Sequence, residues 1–183
     1  MLLSGVLPAG GVLRKELNRD EARTAALPLD LNQPASFANF TEQVKKTLHN
    51  VRGCTRFDYQ INNGGMGSGM PFTDVTEQFF DQIMATDFKG PYFLTQHLLV
   101  MLEDGGRIVN TSSNSSYKTF AGYTTYGPSK AAMAAWTRYL AKETAPGRIG
   151  RPDDMAKVIA GMVSDDSGRV TAQDIEVSGG PIL

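Results

Sequence analysis

The chain has 183 residues, with 18 Lys and Arg against 19 Asp and Glu, so its formal net charge is −1. This balance gives no general electrostatic attraction to nucleic acid or to an anionic membrane surface. The sequence contains no run of about 18 apolar residues, so no membrane-spanning helix is predicted. The one cysteine, Cys54, cannot form an internal disulfide, and His49 and His97 belong to no cluster with metal-ligand spacing. We therefore expect a single domain over residues 1–183, in the cytoplasm, with no metal site.

The first part of the chain predicts alternating strands and helices. Residues 1–24 are interrupted by proline and glycines and predict an irregular N-terminal segment. Residues 25–31 predict a strand that ends near Asp30, and residues 34–48 predict an amphipathic helix because apolar residues recur every three or four positions. Residues 57–61 predict a second strand, which runs into Asn62-Asn63-Gly64-Gly65. Alternation of this kind favours an α/β fold with a parallel sheet.

The second part continues the same alternation. Cap signals in residues 73–77 predict a long helix over about 74–102. Residues 105–113 predict a glycine turn and a short buried strand that ends in hydroxyl side chains. A helix follows over about 126–143, and another begins near Pro152.

Tyr126 and Lys130 begin the helix over 126–143. Residues four apart on a helix share a face, with Cβ atoms about 5–6 Å apart. A tyrosine titrates near ~10, so it exchanges protons poorly at neutral pH unless a nearby cation favours the phenolate. Lys130 is placed to be that cation, although the same spacing also describes an ordinary surface pair.

These motifs together resemble the short-chain dehydrogenase/reductase family. The matching features are a strand that delivers Ser113, the Tyr126–Lys130 helix start, the Asn62–Gly65 turn, Gly150-Arg151-Pro152 and Gly179-Gly180. The resemblance covers most of residues 25–183 and implies a Rossmann-like, doubly wound parallel sheet, with residues 170–180 as its last strand. It also implies an NAD(P)-dependent oxidoreductase that interconverts a carbonyl and an alcohol by hydride transfer.

The resemblance assigns roles to individual residues. Tyr126 would be the general acid/base, Ser113 would bind the substrate oxygen, and Lys130 would hold the nicotinamide ribose while favouring the phenolate. The cofactor, NADP or NAD, would contact the strand ends and the helix start through Asp30, Leu31, Asn62, Asn63, Gly64, Tyr126 and Lys130. Asp30 could equally be a turn acid.

Asp87 lies where most family members carry an asparagine that helps a water relay join the lysine to solvent. An aspartate still accepts hydrogen bonds but donates none when it is ionised, and it adds a negative charge that opposes Lys130. We therefore count Asp87 among the candidate catalytic residues.

Two segments of the family pattern have no visible counterpart. Residues 4–11 contain glycines, but not at the spacing of the family's Thr-Gly-x-x-x-Gly-x-Gly turn, and a complete βαβ unit needs about 30 residues. The chain also passes almost directly from Glu143 to Gly150, without the family's substrate-loop region. The expected fold is therefore incomplete relative to the family, and residues 1–24 are a remnant or an irregular segment.

These absences leave a second interpretation open: a catalytically impaired family-derived protein, either a shortened gene product or a non-catalytic subunit or interaction module. The two long helices also carry apolar side chains beyond the need of one sheet face: Phe79, Phe80, Ile83, Phe93, Leu94, Trp136 and Leu140. Family members bury such helices against a second subunit, so the resemblance implies a homodimer or a homotetramer.

Overall fold

The computed structural model describes residues 2–4, 25–144, 152–168 and 170. The chain divides into two units, one up to Ala134 and one from Ala135. The strands are β1 (Leu2–Ser4), β2 (Phe57–Asn62) and β3 (Leu102–Asn110), and the helices are α1 (Phe37–Arg52), α2 (Glu77–Met84), α3 (Gly90–Leu98), α4 (Tyr126–Thr144) and α5 (Pro152–Met162). A π-helical turn, Ala85–Lys89, joins α2 to α3. Short 3-10 turns occupy Pro34–Ser36, Phe72–Asp74, Leu99–Met101, Asn114–Ser116 and Asp165–Ser167.

The described strands form one parallel sheet in the order β1-β2-β3. In the register, Ser4 lies beside Asn62 and Asn62 lies beside Asn110. Parallel strands require long crossover connections, and here these carry helices, as an α/β fold demands. Because the strands are parallel, their carboxyl ends lie at one edge of the sheet, and the loops after β2 and β3 meet there.

The core of the first unit lies between the helices and this sheet. Its buried members come from α1, α3 and the adjoining segments: Leu31, Phe37, Phe40, Val44, Phe57, Leu94, Leu98 and Met101. Three of them follow the helical period of α1, which confirms the predicted amphipathic helix. That helix ends at Arg52 because Gly53 adopts a left-handed conformation, with φ of 69°, and its N–H donates to the His49 carbonyl.

The predicted strand over residues 25–31 is wrong, because this segment is irregular. Leu27 and Leu29 pack against the core, so the alternation of leucines reflects burial rather than strand pairing. Asp30 then begins a turn, in which the Gln33 N–H donates to the Asp30 carbonyl at 3.1 Å.

The predicted long helix over 74–102 is helical in structure but is divided. It begins at Glu77, where the Thr76 hydroxyl accepts the Phe79 N–H at 3.2 Å. The π-helical turn interrupts it, and such turns are frequent at functional sites. At Gly90 the helix passes so close to the 25–31 segment that a Cβ would collide with the Leu31 carbonyl, so glycine is required there.

The predicted strand near residues 105–113 is confirmed as β3, but it begins earlier and is not buried. Val109 is 50% exposed, because among the described residues β3 pairs with a strand on one side only. The predicted last strand, residues 170–180, lies outside the described residues except for Val170. The helices α4 and α5 begin at the predicted residues, Tyr126 and Pro152. In the part of the chain that the structure describes, no helix has the length and apolarity needed to cross a membrane.

Candidate active site

Tyr126 and Lys130 lie on one face of the first turn of α4, as the sequence predicts. The Lys130 Nζ is 5.7 Å from the centroid of the Tyr126 ring. Lys130 is only 3% exposed, which is unusual for an ammonium group, since lysine is almost never fully buried unless it is paired. This burial distinguishes the pair from an ordinary surface contact.

Lys130 is held by the chain that follows β3. Its Nζ donates to the Thr111 carbonyl at 3.2 Å, and the Ser112 hydroxyl donates to the Lys130 carbonyl at 3.1 Å. The chain after β3 is thus bonded to both the side chain and the main chain of Lys130, at the start of α4. An ammonium has three N–H donors, and the Thr111 contact uses one of them.

Asp87 lies in the π-helical turn and is completely buried. Its Oδ1 accepts the Met66 N–H at 2.6 Å, whereas its Oδ2 has no hydrogen-bond partner among the described residues. Burial raises the pKa of Asp87 above its ordinary value, against the opposing effects of the Met66 N–H, the Lys130 charge and the nearby Ser129 hydroxyl. The Ser129 hydroxyl donates instead to the Tyr126 carbonyl, at 2.7 Å, which leaves Oδ2 without a donor.

Gly65 brings Asp87 and Lys130 close to the loop after β2. A Cβ on Gly65 would lie 3.0 Å from Asp87 Oδ1 and 3.0 Å from Lys130 Nζ. Real Cβ atoms rarely approach other atoms so closely, so the site depends on glycine at this position. The predicted Asn62–Gly65 turn is therefore fitted to the buried carboxyl and ammonium groups.

The Asn62 side chain is buried in a polar cluster that links β2 to β3 and to α3. Its Nδ2 donates to Thr95 Oγ1 at 3.1 Å and to Asn110 Oδ1 at 2.8 Å. Gln60 Nε2 donates to Asn62 Oδ1 at 3.0 Å and to Thr95 Oγ1 at 2.9 Å. The Asn62 carbonyl accepts the Thr111 N–H at 2.9 Å. These bonds hold the ends of β2 and β3 at fixed positions.

The next two residues of the turn differ in exposure. Asn63 is exposed at the sheet edge, and its Oδ1 accepts the Thr111 hydroxyl at 2.9 Å. Gly64 is buried. Of the predicted cofactor contacts in this turn, Asn63 thus presents its side chain at the surface, while Asn62 turns its side chain inward.

Asp30 and Leu31 lie in the turn before α1. The Asp30 Oδ1 accepts the Asn32 N–H at 2.9 Å and Asn32 Nδ2 at 3.1 Å, which is the turn-acid arrangement that the sequence left open. The Leu31 side chain belongs to the core, so only its backbone could contact a ligand. Thr86 Oγ1 donates to Asn32 Oδ1 at 3.0 Å, which links this turn to the π-helical turn that carries Asp87.

Ser113 begins the 3-10 turn Asn114–Ser116, and its Oγ accepts the Ser115 N–H at 3.1 Å. That turn packs on the first turn of α4, because a Cβ on Gly127 would lie 3.0 Å from the Ser115 carbonyl oxygen. Ser113 is half-buried. Its contact with Asn114 Oδ1 is 3.4 Å long, beyond the usual range for a hydroxyl donor.

Three contributors to this site could not be predicted from the sequence. They are the close approach of Gly65 to Asp87 and Lys130, the Thr111 carbonyl that accepts from Lys130, and the buried Gln60–Thr95 hydrogen bond. The paired glycines after Asn63 were a usable signal for the first. A backbone carbonyl leaves no signal in the sequence. Among the described residues, no group of three or more His, Cys, Asp or Glu side chains could hold a metal ion.

Comparison with known proteins identifies the family. The model of the family described as short chain dehydrogenase matches residues 9–169. A tetrahydroxynaphthalene reductase of Pestalotiopsis fici is 26% identical over an alignment that covers 91% of this chain and 76% of that protein. The alignment spans 216 positions, more than the 183 residues here, so the relative has internal residues without counterparts in this chain.

Solved structures give the same answer. The structure of landomycin C-6 ketoreductase LanV with bound NADP and rabelomycin is 25% identical, with a TM-score of 0.67, and the match covers 91% of this chain and 78% of that one. A dehydrogenase/reductase from Sinorhizobium meliloti 1021 is 26% identical, with a TM-score of 0.63, over 70% of this chain and 49% of that one. The fold is thus a Rossmann-like α/β fold, incomplete in its described part, and the chain belongs to the short-chain dehydrogenase/reductase family.

Proposed function

We propose that this protein is an NAD(P)-dependent oxidoreductase that interconverts a carbonyl and an alcohol, with Tyr126 as the general acid/base. The observation that carries the proposal is the burial of Lys130 against the Tyr126 ring at the carboxyl ends of the parallel strands. Ligands of open α/β sheets bind at that edge. A buried ammonium beside a phenol is also an arrangement in which positive charge can stabilise a phenolate formed during the reaction.

The described residues fit the nicotinamide end of a dinucleotide. Lys130 offers a cation with further donors, Asn63 presents an exposed amide, and Gly65 has no side chain to block the approach of a ligand. The bound NADP named for the LanV structure supports NADP or NAD as the cofactor. The segment that would face the pyrophosphate falls in residues 5–24, outside the described residues.

The residues of the site have distinct tasks in carbonyl reduction. A nicotinamide cofactor held by Lys130, Asn63 and the backbone at Gly65 would supply the hydride for the carbonyl carbon, and the carbonyl oxygen would then need a proton. Tyr126 Oη gives its proton to that oxygen, which completes the alcohol, and Lys130 stabilises the phenolate that remains. In alcohol oxidation Tyr126 takes the proton instead. General acid/base catalysis of this kind contributes about 10²–10⁴-fold to the rate.

Ser113 would hold the substrate oxygen. The Ser115 N–H occupies one acceptor position on its Oγ, so the hydroxyl proton remains available to a carbonyl oxygen or to the oxygen of the forming alcohol. Asp87 would hold neighbouring groups in place rather than take part in the reaction. It accepts the Met66 N–H, and its Oδ1 and the Lys130 Nζ both lie beside Gly65, so Asp87 helps to hold the turn and the ammonium in place.

Isotope transfer tests the proposed reaction. NADPH and NADH carrying deuterium at the transferable position of the nicotinamide are supplied at millimolar concentration with a panel of ketones. The alcohol product should gain one deuterium from one of the two stereochemically labelled forms of the coenzyme and none from the other. A folded protein that forms no labelled alcohol under these conditions would refute the proposal and favour a non-catalytic, family-derived protein.

We also propose that the protein assembles as a homodimer or a homotetramer. The helices α2 and α3 and the 3-10 turn after α3 expose apolar side chains, among them Phe80, Phe93 and Val100. Ile83 and Leu94, which the sequence assigned to this surface, are fully buried within the subunit, so that part of the prediction is wrong. Their burial follows from the helical period, which turns both residues inward.

A further inference from the structure

The Tyr126 side chain has neighbours on three different segments of the chain. On α4, the Lys130 Nζ lies 5.7 Å from the centroid of the Tyr126 ring. On the loop after β2, a Cβ on Gly67 would lie 3.9 Å from the Tyr126 hydroxyl. On the loop before α4, the Tyr123 ring meets the Tyr126 ring edge to face, with centroids 5.7 Å apart and an interplanar angle of 68°, within the favoured range for aromatic contacts. Side-chain contacts, and not only the helix start, therefore set the orientation of the phenol.

Tyr123 is attached to the start of α4 through its backbone as well. The Gly127 N–H donates to the Tyr123 carbonyl at 2.9 Å, which satisfies one of the N–H groups that the first turn of a helix leaves unpaired. The Tyr123 ring also meets the Phe120 ring edge to face, with centroids 6.3 Å apart. Tyr123 is half-buried, and its ring is thus in contact with Phe120 as well as with Tyr126.

The glycine-rich loop after β2 packs directly on Tyr123. A Cβ on Gly69 would lie 3.1 Å from Cε2 and 3.4 Å from Cζ of the Tyr123 ring, so only glycine lets the backbone approach the ring this closely. The Met70 N–H donates to the Gly122 carbonyl at 2.7 Å, which bonds the loop to the residue before Tyr123. These contacts leave the Tyr123 ring little room to turn away from Tyr126.

We infer that Tyr123 is a positioning residue: its ring, held by the glycine-rich loop after β2, keeps the Tyr126 phenol in the orientation that exchanges a proton with the substrate. This inference rests on the proposed function, in which Tyr126 is the general acid/base. Tyr126 is the first residue of α4 and follows a loop, so it has no preceding helical turn to hold its side chain. Proton transfer requires the phenol oxygen to stay within hydrogen-bond reach of the substrate oxygen, about 2.6–3.2 Å. The contact with Tyr123 supplies the restraint that the helix start lacks.

Tyr123→Leu tests the inference, because it removes the ring and keeps an apolar side chain. The position of the phenol is measured without turnover, as the nuclear Overhauser effect between the Tyr126 ring protons and the Gly67 α-protons in protein labelled at tyrosine and glycine. We expect this signal in the unsubstituted protein and the loss of most of it in Tyr123→Leu. With a ketone substrate and millimolar NADPH, kcat should fall about two- to tenfold, the range of one aromatic contact. The KM should not change, because the restraint acts on proton transfer and not on substrate binding.

Matched variants separate a ring contact from a loss of folding. Tyr123→Phe keeps the ring and should keep both the signal and kcat. Tyr117→Leu removes a 71% exposed aromatic side chain that also lies between β3 and α4 and should change neither. Gly69→Ala leaves Tyr123 in the chain but pushes its ring, so it should weaken the signal and lower kcat. Gly161→Ala, whose added Cβ would have no heavy atom within 4 Å, should do neither.

The two proposals fail in different ways. The inference would be overturned by an undiminished signal or an undiminished kcat in Tyr123→Leu, by an equal loss in Tyr123→Phe, or by the absence of the signal from the unsubstituted protein. Ketone reduction by the unsubstituted protein would still leave the oxidoreductase function standing. Loss of the signal in Tyr123→Leu but not in Tyr123→Phe, in a protein that reduces no ketone, would support the restraint on Tyr126 and contradict the proposed reaction.

Discussion

Replacing Gly65 by alanine probes the most closely packed point of the candidate site. The added methyl carbon would lie 3.0 Å from both Asp87 Oδ1 and Lys130 Nζ, so each group must retreat by about 0.4 Å to reach ordinary van der Waals separation. Neither moves without loss, since Oδ1 holds the Met66 N–H and Nζ holds the Thr111 carbonyl. Overpacking typically costs about 1–3 kcal/mol, and we expect about 1 kcal/mol because Gly65 lies at the exposed edge of the site.

The same displacement should lower activity. A misplacement of ~1 Å can cost about a hundredfold, so a few tenths of an ångström at Lys130 should lower kcat/KM about three- to tenfold. Urea unfolding followed by circular dichroism gives the free energy of unfolding, and initial rates at substrate concentrations well below KM give kcat/KM. Gly161→Ala is the matched control, because no heavy atom lies within 4 Å of its added Cβ. If Gly65→Ala proved as stable and as active as Gly161→Ala, the packing of Asp87 and Lys130 around this glycine would be refuted.

Three further predictions concern charge, cofactor affinity and assembly. Burial raises the pKa of Asp87, so the ionised carboxylate destabilises the fold at neutral pH. This penalty becomes smaller as the pH falls towards ~3.9, the pKa of an aspartate in the unfolded chain. Asp87→Asn should therefore raise the free energy of unfolding by about 1 kcal/mol at neutral pH and change it less in acid, and a variant less stable at neutral pH would contradict this. Because the sequence has no recognisable phosphate turn, we expect the cofactor site to lack several hydrogen bonds of about 1.5–3 kcal/mol each, so calorimetry should give millimolar or undetectable binding of NAD(H) and NADP(H). Micromolar binding would show that residues 5–24 form a phosphate site. Sedimentation at micromolar concentration should show a homodimer or a homotetramer, and a clean monomer would exclude the proposed assembly.

The features that the sequence predicts well are local ones. The helix α1 follows from the spacing of Phe37, Phe40 and Val44, all of which are buried, and the Tyr126–Lys130 contact follows from one helical turn. The predicted strand over residues 25–31 is wrong because alternating leucines pack against a core in much the same way in an irregular chain as in a strand. Only backbone pairing with a neighbouring strand decides between the two, and residues 25–31 form no strand.

The features that could not be predicted from the sequence depend on contacts between residues far apart in the chain. A strand as short as β1, with three residues, has no readable periodicity. The Lys130 contact with the Thr111 carbonyl spans 19 positions, and the approach of Gly65 to Asp87 depends on the π-helical turn that places this carboxyl inside the fold. The exposure of β3 likewise depends on which strands lie beside it, which composition and spacing do not determine.

The most direct test of the central claim compares Tyr126→Phe with the unsubstituted protein. The substitution removes the phenolic proton and keeps the ring that contacts Tyr123 and Lys130, so the free energy of unfolding should change little. Reduction of a ketone at millimolar NADPH should fall by about 10²–10⁴-fold, the usual contribution of a general acid. A folded Tyr126→Phe protein with undiminished turnover would contradict the account.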